Sequence, residues 1–160
     1  MAVALQAAPV PADYTVIRDK GNHASLFAYT GWSVLTLGVG IGGIATTNEP
    51  FWQGVHIGHL VWGGVNTVIA AISLGTTFIP KREPSEDELQ EGKNAQLAYA
   101  INAVFDVVTL FVSAGIFAAL PDARWQGFAS ASLVQSAFLL VYDVTMSLYH
   151  QLNNDRALAL

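Results

Sequence analysis

The feature that most constrains the fold of this chain is a series of four apolar segments, each long enough to cross a lipid bilayer. About 20 helical residues span the roughly 30 Å of hydrocarbon in a membrane, and these segments extend over about 24–46, 53–79, 95–120 and 127–149. Only 12% of the 160 residues are charged, which is about half of the share found in soluble domains. The sequence therefore predicts an all-α, four-helix transmembrane bundle whose helices alternate in direction.

The basic residues are divided unevenly between the two sides that this topology defines. Of the seven Lys and Arg residues, only Arg124 lies on the side that holds the short connections after the first and third segments. Because cytoplasmic loops carry an excess of Lys and Arg, we expect both termini in the cytoplasm and the protein in a bacterial cytoplasmic membrane. The expected organisation is a cytoplasmic tail at 1–23, one membrane domain at 24–152, an acidic cytoplasmic loop at 80–94 and a tail at 153–160.

Composition also excludes several classes of function. Cysteine is absent, so disulfides, thiolate metal sites and cysteine catalysis are ruled out. The sequence has no basic stripe of the kind that binds nucleic acid, and we expect membrane lipids rather than nucleic acid as surroundings. No nucleotide-binding motif or catalytic Ser/His/Asp pattern can be read, so we expect no enzymatic activity.

Glycines recur at a spacing of four in the first two segments. Such pairs allow helix backbones to approach closely where lipid provides no hydrophobic drive between helices. We predict helix-packing faces at Gly38, Gly42, Gly54 and Gly58. The spacing leaves open whether the neighbouring helix belongs to the same chain or to another subunit.

Two acidic residues, Asp106 and Asp143, lie inside the apolar segments, and none of these segments contains Lys or Arg. An ionised carboxylate near the bilayer centre costs about 2.5–3.5 kcal/mol on the insertion scale. We therefore expect both side chains to face the bundle interior. There they should be protonated, or hydrogen-bonded by Asn side chains or by Tyr142.

Other polar residues fall at matching depths when each helical residue is given a rise of about 1.5 Å. One layer lies between mid-membrane and the inner third, and a second lies nearer the outside. The predicted polar pocket or ion-binding site comprises Asn66, Asn102, Asp106 and Asp143 in the inner layer, His59 and Gln135 in the outer layer, and Tyr142 as a hydrogen-bond partner of the carboxyls. These residues either fix the rotation of the helices or form a site that binds a ligand or relays protons.

His56 and His59 are the weak candidates for a metal or haem site. A bis-histidine haem needs imidazoles on facing helices at similar depth, whereas His23 and His150 are predicted at the opposite side of the membrane. No metal-binding motif surrounds the pair. We therefore expect no cofactor.

Four stretches of the sequence resemble a bacterial family of four-helix membrane proteins of unknown function. The resemblance extends over about residues 23–153 and implies that the same polar residues matter to the family, but it brings no activity, cofactor or substrate. The matching stretches are Gly31-Trp32, the segment VHIGHLVWGGVN with His56, Trp62 and Asn66, the run 102–106 and the run 135–143.

These observations predict a small, non-enzymatic integral membrane protein with a buried polar pocket, acting as a homo-oligomer or as an accessory subunit of a larger membrane complex. Four spans leave little room for an alternating-access transporter in one copy. The main alternative is a proton or small-solute channel or carrier that uses Asp106 and Asp143. A second alternative is a redox subunit that binds haem, a pigment or a quinone.

Overall fold

The computed structural model describes residues 12–77 and 88–159. Four helices make up this part of the chain, α1 (Ala12–Thr46), α2 (Pro50–Thr77), α3 (Glu88–Ala119) and α4 (Ala123–Leu158). All four are long and apolar enough to cross a membrane, and the described residues contain no strand. The predicted all-α, four-helix fold is therefore confirmed. The cytoplasmic position of the termini stays a prediction.

The short connections between helices follow from residues that stop or start a helix. Pro50 is the first residue of α2, a position at which the missing backbone N–H of proline costs nothing. Asp122 caps α4, because its side chain accepts hydrogen bonds from the backbone N–H groups of Arg124 at 2.9 Å and Trp125 at 3.2 Å. These signals limit the two connections to a few residues and bring consecutive helices side by side.

At the ends that we predict to be cytoplasmic, the helices continue beyond the predicted spans. α1 already includes the described part of the predicted N-terminal tail, and α4 continues to Leu158. Of the acidic loop predicted at 80–94, residues 80–87 lie outside the described residues, and 88–94 form the first turns of α3.

The outer surface of the bundle is covered with large apolar side chains. Phe111 is 75% exposed, Phe27 is 69% exposed and Val141 is 68% exposed. A soluble monomer rarely exposes wide, contiguous apolar patches, whereas such a surface suits contact with lipid. The exposure pattern thus agrees with an integral membrane protein.

The four helices do not pack equally with one another. Extensive contacts join α3 to α4, α1 to α2 and α2 to α4, while α1 meets α4 over a smaller area. α3 has no comparable contact with α1 or α2 among the described residues. Helix α4 is therefore the centre of the bundle, and a space remains beside it between α3 and the α1–α2 pair.

Glycines close the contact between α2 and α4 near the start of both helices. A Cβ atom added at Gly54 would overlap the backbone of Arg124, and one added at Gly127 would overlap the backbone of Phe51. Gly58 lies against Ala131 in the same contact. Two of the predicted packing glycines, Gly54 and Gly58, thus contact a helix of their own chain.

The other predicted pair, Gly38 and Gly42, lies on a different face. A Cβ atom at either position would meet nothing within 4 Å among the described residues. The α1–α2 contact instead uses Gly40, Gly43 and Gly63. A neighbour for Gly38 and Gly42 in another subunit stays a prediction.

A charged cluster joins α1 to α3 at their N-terminal ends. The guanidinium of Arg18 lies 2.7 Å from the carboxylate of Glu88 and 3.4 Å from that of Glu91, and it also donates to the backbone carbonyl of Glu88 at 3.0 Å. Arg18 is only 4% exposed. One turn earlier, the Tyr14 hydroxyl donates to Asn154 of α4 at 2.7 Å. These contacts hold three helices together at this end.

Candidate functional site

A cavity of about 470 Å³ lies within the helix bundle, in the space beside α4. All four helices contribute to its lining, with Tyr29 on α1, Asn66 on α2, Asp106 on α3 and Asp143 on α4 among the residues that face it. Ligand sites in proteins typically have volumes of about 300–1,000 Å³. The cavity is therefore large enough for a small organic molecule.

The two acidic residues of the membrane segments meet in this cavity. Asp106 is 4% exposed and Asp143 is 6% exposed, and their carboxyl groups lie within hydrogen-bonding range of each other. The amide of Asn102 is also within hydrogen-bonding range of Asp143. Because two charged carboxylates in contact repel each other, a shared proton is the arrangement that favours such a pair. The two carboxyl groups therefore do not both carry a negative charge.

Two polar atoms at the cavity lack partners within the described part of the chain. The hydroxyl of Tyr29 donates to Oδ1 of Asn66 at 3.1 Å, but Nδ2 of the same amide has no hydrogen-bond partner there, and neither has Oδ2 of Asp106. An unsatisfied polar group in hydrocarbon costs several kcal/mol. Both atoms are buried on residues of the cavity wall, where a bound molecule would supply the missing hydrogen bonds.

Aromatic side chains form much of the remaining wall. The ring of Tyr142 lies 5.5 Å from that of Tyr29 and 6.0 Å from that of Tyr99, measured between centroids. Trp62 and Phe105 also face the cavity. No Lys, Arg or His is among the described residues of the lining. The site is therefore acidic and aromatic, with no cation of its own.

On the α2–α4 contact side of the cavity, the predicted outer layer forms a hydrogen-bonded group around Gln135, which is fully buried. The indole N–H of Trp32 donates to Oε1 of Gln135 at 2.7 Å, and Nε2 of Gln135 lies 3.5 Å from Nδ1 of His59. Nearby, the indole of Trp62 donates to Ser132 at 2.9 Å. His59 and Gln135 are thus brought together, but neither lines the cavity.

Sequence reasoning missed the contribution of α1. Asn22, Ser25, Tyr29 and Trp32 are spaced by three or four residues, and the first three line the cavity while Trp32 reaches Gln135. This spacing places them on one helix face. The stripe can be seen in the sequence, but it contains no acidic or basic residue, and three of its four members lie within the apolar segment at about 24–46.

The two weak metal candidates lie apart from the carboxyl pair. His56 is close to Gly43 of α1 and 6.4 Å from the ring of Trp52, whereas His59 contacts Gln135. Within residues 12–77 and 88–159, no group of three or more His, Asp or Glu side chains is placed to hold a metal ion. The expectation that no cofactor is bound stays a prediction.

Most of the residues that line the cavity lie in a part of the chain that matches a known family. Residues 28–144 match the model of a family of unknown function, DUF6992, and this range includes both acidic residues of the cavity, whereas Tyr14 and Arg18 lie outside it. No curated protein and no solved structure matches the chain. Because the match extends over more than half of the sequence, including α2, α3 and parts of α1 and α4, the chain belongs to the DUF6992 family of unknown function.

Proposed function

We propose that this chain is a small, non-enzymatic integral membrane protein that binds a small molecule in the cavity between its four helices. The observation that carries the proposal is the meeting of Asp106 and Asp143 in a cavity that is also lined by Asn66, whose buried amide nitrogen has no partner among the described residues. Ionisable residues inside membrane segments are costly and usually serve a site or a polar contact. A purely structural set would be expected to satisfy its own hydrogen bonds, whereas Nδ2 of Asn66 and Oδ2 of Asp106 have no partner among the described residues.

A binding pocket fits the arrangement better than a continuous channel. The Trp32–Gln135–His59 group fills the bundle on one side of the cavity, and both Gln135 and its neighbour Ser136 are almost fully buried. An ion path would need a polar, water-accessible route at this level. Closure on this side supports a site that holds a molecule rather than one that conducts ions.

To test the proposal, the protein is purified in mild detergent and small molecules that remain bound are measured by native mass spectrometry. We expect the parent protein to retain a guest and an Asn66→Leu/Asp106→Leu variant to lose it, with occupancy reduced at least about tenfold, because the bonds to both unpartnered atoms disappear. Asn94→Leu on the exposed face of α3 is the matched control and should retain the guest. A guest kept equally by the double variant, or an empty parent protein, contradicts the proposal.

We also propose that the protein works as a homo-oligomer or as an accessory subunit of a larger membrane complex. Support comes from Gly31, Gly38 and Gly42, whose spacing places them on one face of α1 and which meet nothing within 4 Å among the described residues. Small residues on an open face of a membrane helix allow another helix to approach closely.

Assembly is tested by measuring particle mass in mild detergent. We expect the parent protein to run as an oligomer or with a stoichiometric partner, and Gly38→Leu/Gly42→Leu to release single chains, because leucine side chains would separate the helix backbones. Gly64→Leu on α2, which also meets nothing within 4 Å but lies outside this face, should leave the mass unchanged. A parent protein that is monomeric under every mild condition argues against the proposal.

A further inference from the structure

We infer that the cavity takes up the ammonium end of an amphipathic amine, one with an oxygen acceptor beside its nitrogen, and that this molecule enters from the bilayer between α2 and α3. The inference rests on the proposed function, since it names the ligand class of the same cavity.

The charge balance of the cavity favours a cationic guest. Asp106 and Asp143 line the cavity together, and a carboxyl pair in a poorly solvated site carries a negative charge only when a positive charge accompanies it. A buried charge needs a partner of opposite sign, and the described lining contains no basic side chain. A primary ammonium group provides the missing positive charge together with three hydrogen-bond donors. One of these donors satisfies Oδ2 of Asp106, the carboxyl oxygen without a partner.

The aromatic wall adds a second feature that suits a cation. Tyr29, Tyr99 and Tyr142 lie with neighbouring centroids 5.5 Å and 6.0 Å apart beside the carboxyl pair, and Trp62 and Phe105 complete the lining. The faces of such rings attract ammonium groups within about 6 Å of a ring centroid. Carboxyls and rings together therefore recognise an organic cation better than a neutral molecule of the same size.

The free amide nitrogen of Asn66 specifies a further group on the ligand. Oδ1 of Asn66 is occupied by the Tyr29 hydroxyl, which leaves Nδ2 as a buried donor without an acceptor among the described residues. An ammonium group cannot accept a hydrogen bond. A hydroxyl or carbonyl oxygen near the ammonium would satisfy it, so amino alcohols and related amines fit best.

The exposed part of the lining shows where the rest of the ligand lies. Val65 is 51% exposed, Ile69 is 48% exposed and Phe105 is 62% exposed, and all three border the cavity on α2 or α3. These two helices do not pack extensively against each other, and the lining residues of α1 are buried or half-buried. The cavity is therefore open toward lipid between α2 and α3. An apolar tail would leave the site through this opening.

The inference is tested by calorimetric titration of the protein in lipid nanodiscs, with empty nanodiscs as the blank. The probes are 2-amino-1-hexanol, which is charged at neutral pH, and 1,2-hexanediol, which has similar size and no charge. We expect the amino alcohol to bind at least about tenfold more tightly than the diol. This preference should disappear in Asp143→Asn and persist in Asp155→Asn, which removes an exposed carboxylate of the same helix. Asp106→Asn provides a second variant, and circular dichroism confirms that each is folded.

The outcomes separate the ligand class from the proposed function. Equal binding of both probes, or no binding of either by a protein that retains a guest from its membranes, overturns the amine inference and leaves the pocket. No binding of either probe together with no retained guest overturns both. Lateral entry is tested with Ile69→Trp, which should slow association at least severalfold, whereas Ile101→Trp on the exposed face of α3 outside the cavity should not. An unchanged association rate in Ile69→Trp overturns entry between α2 and α3.

Discussion

Replacing Arg18 with methionine is expected to lower the free energy of unfolding by about 3–5 kcal/mol. The guanidinium is almost fully buried and pairs with Glu88, whose own side chain is only 13% exposed. Methionine fills a similar volume but leaves the Glu88 carboxylate in a poorly solvated position without its partner. Removal of one member of a buried ion pair costs far more than the pair itself contributes, because the remaining charge is uncompensated. Glu91 adds little, since it is 61% exposed.

The measurement is unfolding by sodium dodecyl sulfate in mixed micelles, followed by tryptophan fluorescence. Lys20→Met is the matched control, because Lys20 lies on the same helix but is exposed, and it should change the free energy of unfolding by about 0.5 kcal/mol or less. Arg18→Lys should lower the free energy of unfolding by an intermediate amount, since lysine keeps the positive charge but lacks the planar guanidinium that can bind a carboxylate through two hydrogen bonds. Equal effects of Arg18→Met and Lys20→Met would show that the Arg18–Glu88 pair does not hold α1 to α3.

Arg18 also shows what a sequence argument about topology leaves out. Its charge enters the prediction of orientation simply as one of several basic residues near a membrane boundary. That argument treats the residues before the first span as a tail, whereas α1 begins at Ala12 and carries Arg18 into a contact with α3. Counting charges predicts on which side of the membrane the termini lie. It contains no information on which distant residue Arg18 contacts.

The carboxyl pair, in contrast, could be expected from the sequence. Asp106 and Asp143 lie in segments without basic residues, and the high cost of a charge in lipid leaves the bundle interior as the favourable place for them. Depth counting assigned them to one layer, and the structure places them in contact. The aromatic wall was harder to predict, because an aromatic side chain is as favourable in contact with lipid as in the bundle interior. Only tertiary packing determines which rings face the cavity.

The glycine pairs show that residue spacing alone does not predict which helix a glycine face contacts. Gly38/Gly42 and Gly54/Gly58 have the same spacing, yet one pair faces open space and the other contacts α4. Spacing defines which residues share a helix face, but the direction of that face depends on how the helices pair. The close α2–α4 contact also depends on Gly127, whose partner residues are more than 70 positions away in the sequence.

Alanine substitution should have opposite effects on the free energy of unfolding at glycines that contact another helix and at glycines that face open space. Gly54→Ala and Gly127→Ala should each lower the free energy of unfolding by about 1–3 kcal/mol, because the added methyl group overlaps a backbone that belongs to the opposing helix and cannot turn aside. Gly64→Ala and Gly115→Ala are the matched controls, since a Cβ at either position meets nothing within 4 Å among the described residues. Alanine is favoured over glycine within a helix by about 0.5–1 kcal/mol, so these two variants should be slightly more stable than the parent.

The same detergent titration measures all four variants. Opposite signs for the two pairs would show that the backbones of α2 and α4 are in contact at this end. Losses of stability that are the same at all four glycines would instead show that alanine acts through a common effect on the helices, and the close α2–α4 contact would then be wrong. The cavity begins farther along the same two helices, at Trp62 and Ser136. A loosened α2–α4 pair should therefore also weaken guest retention in Gly54→Ala and Gly127→Ala, while the two control variants retain the guest as the parent does.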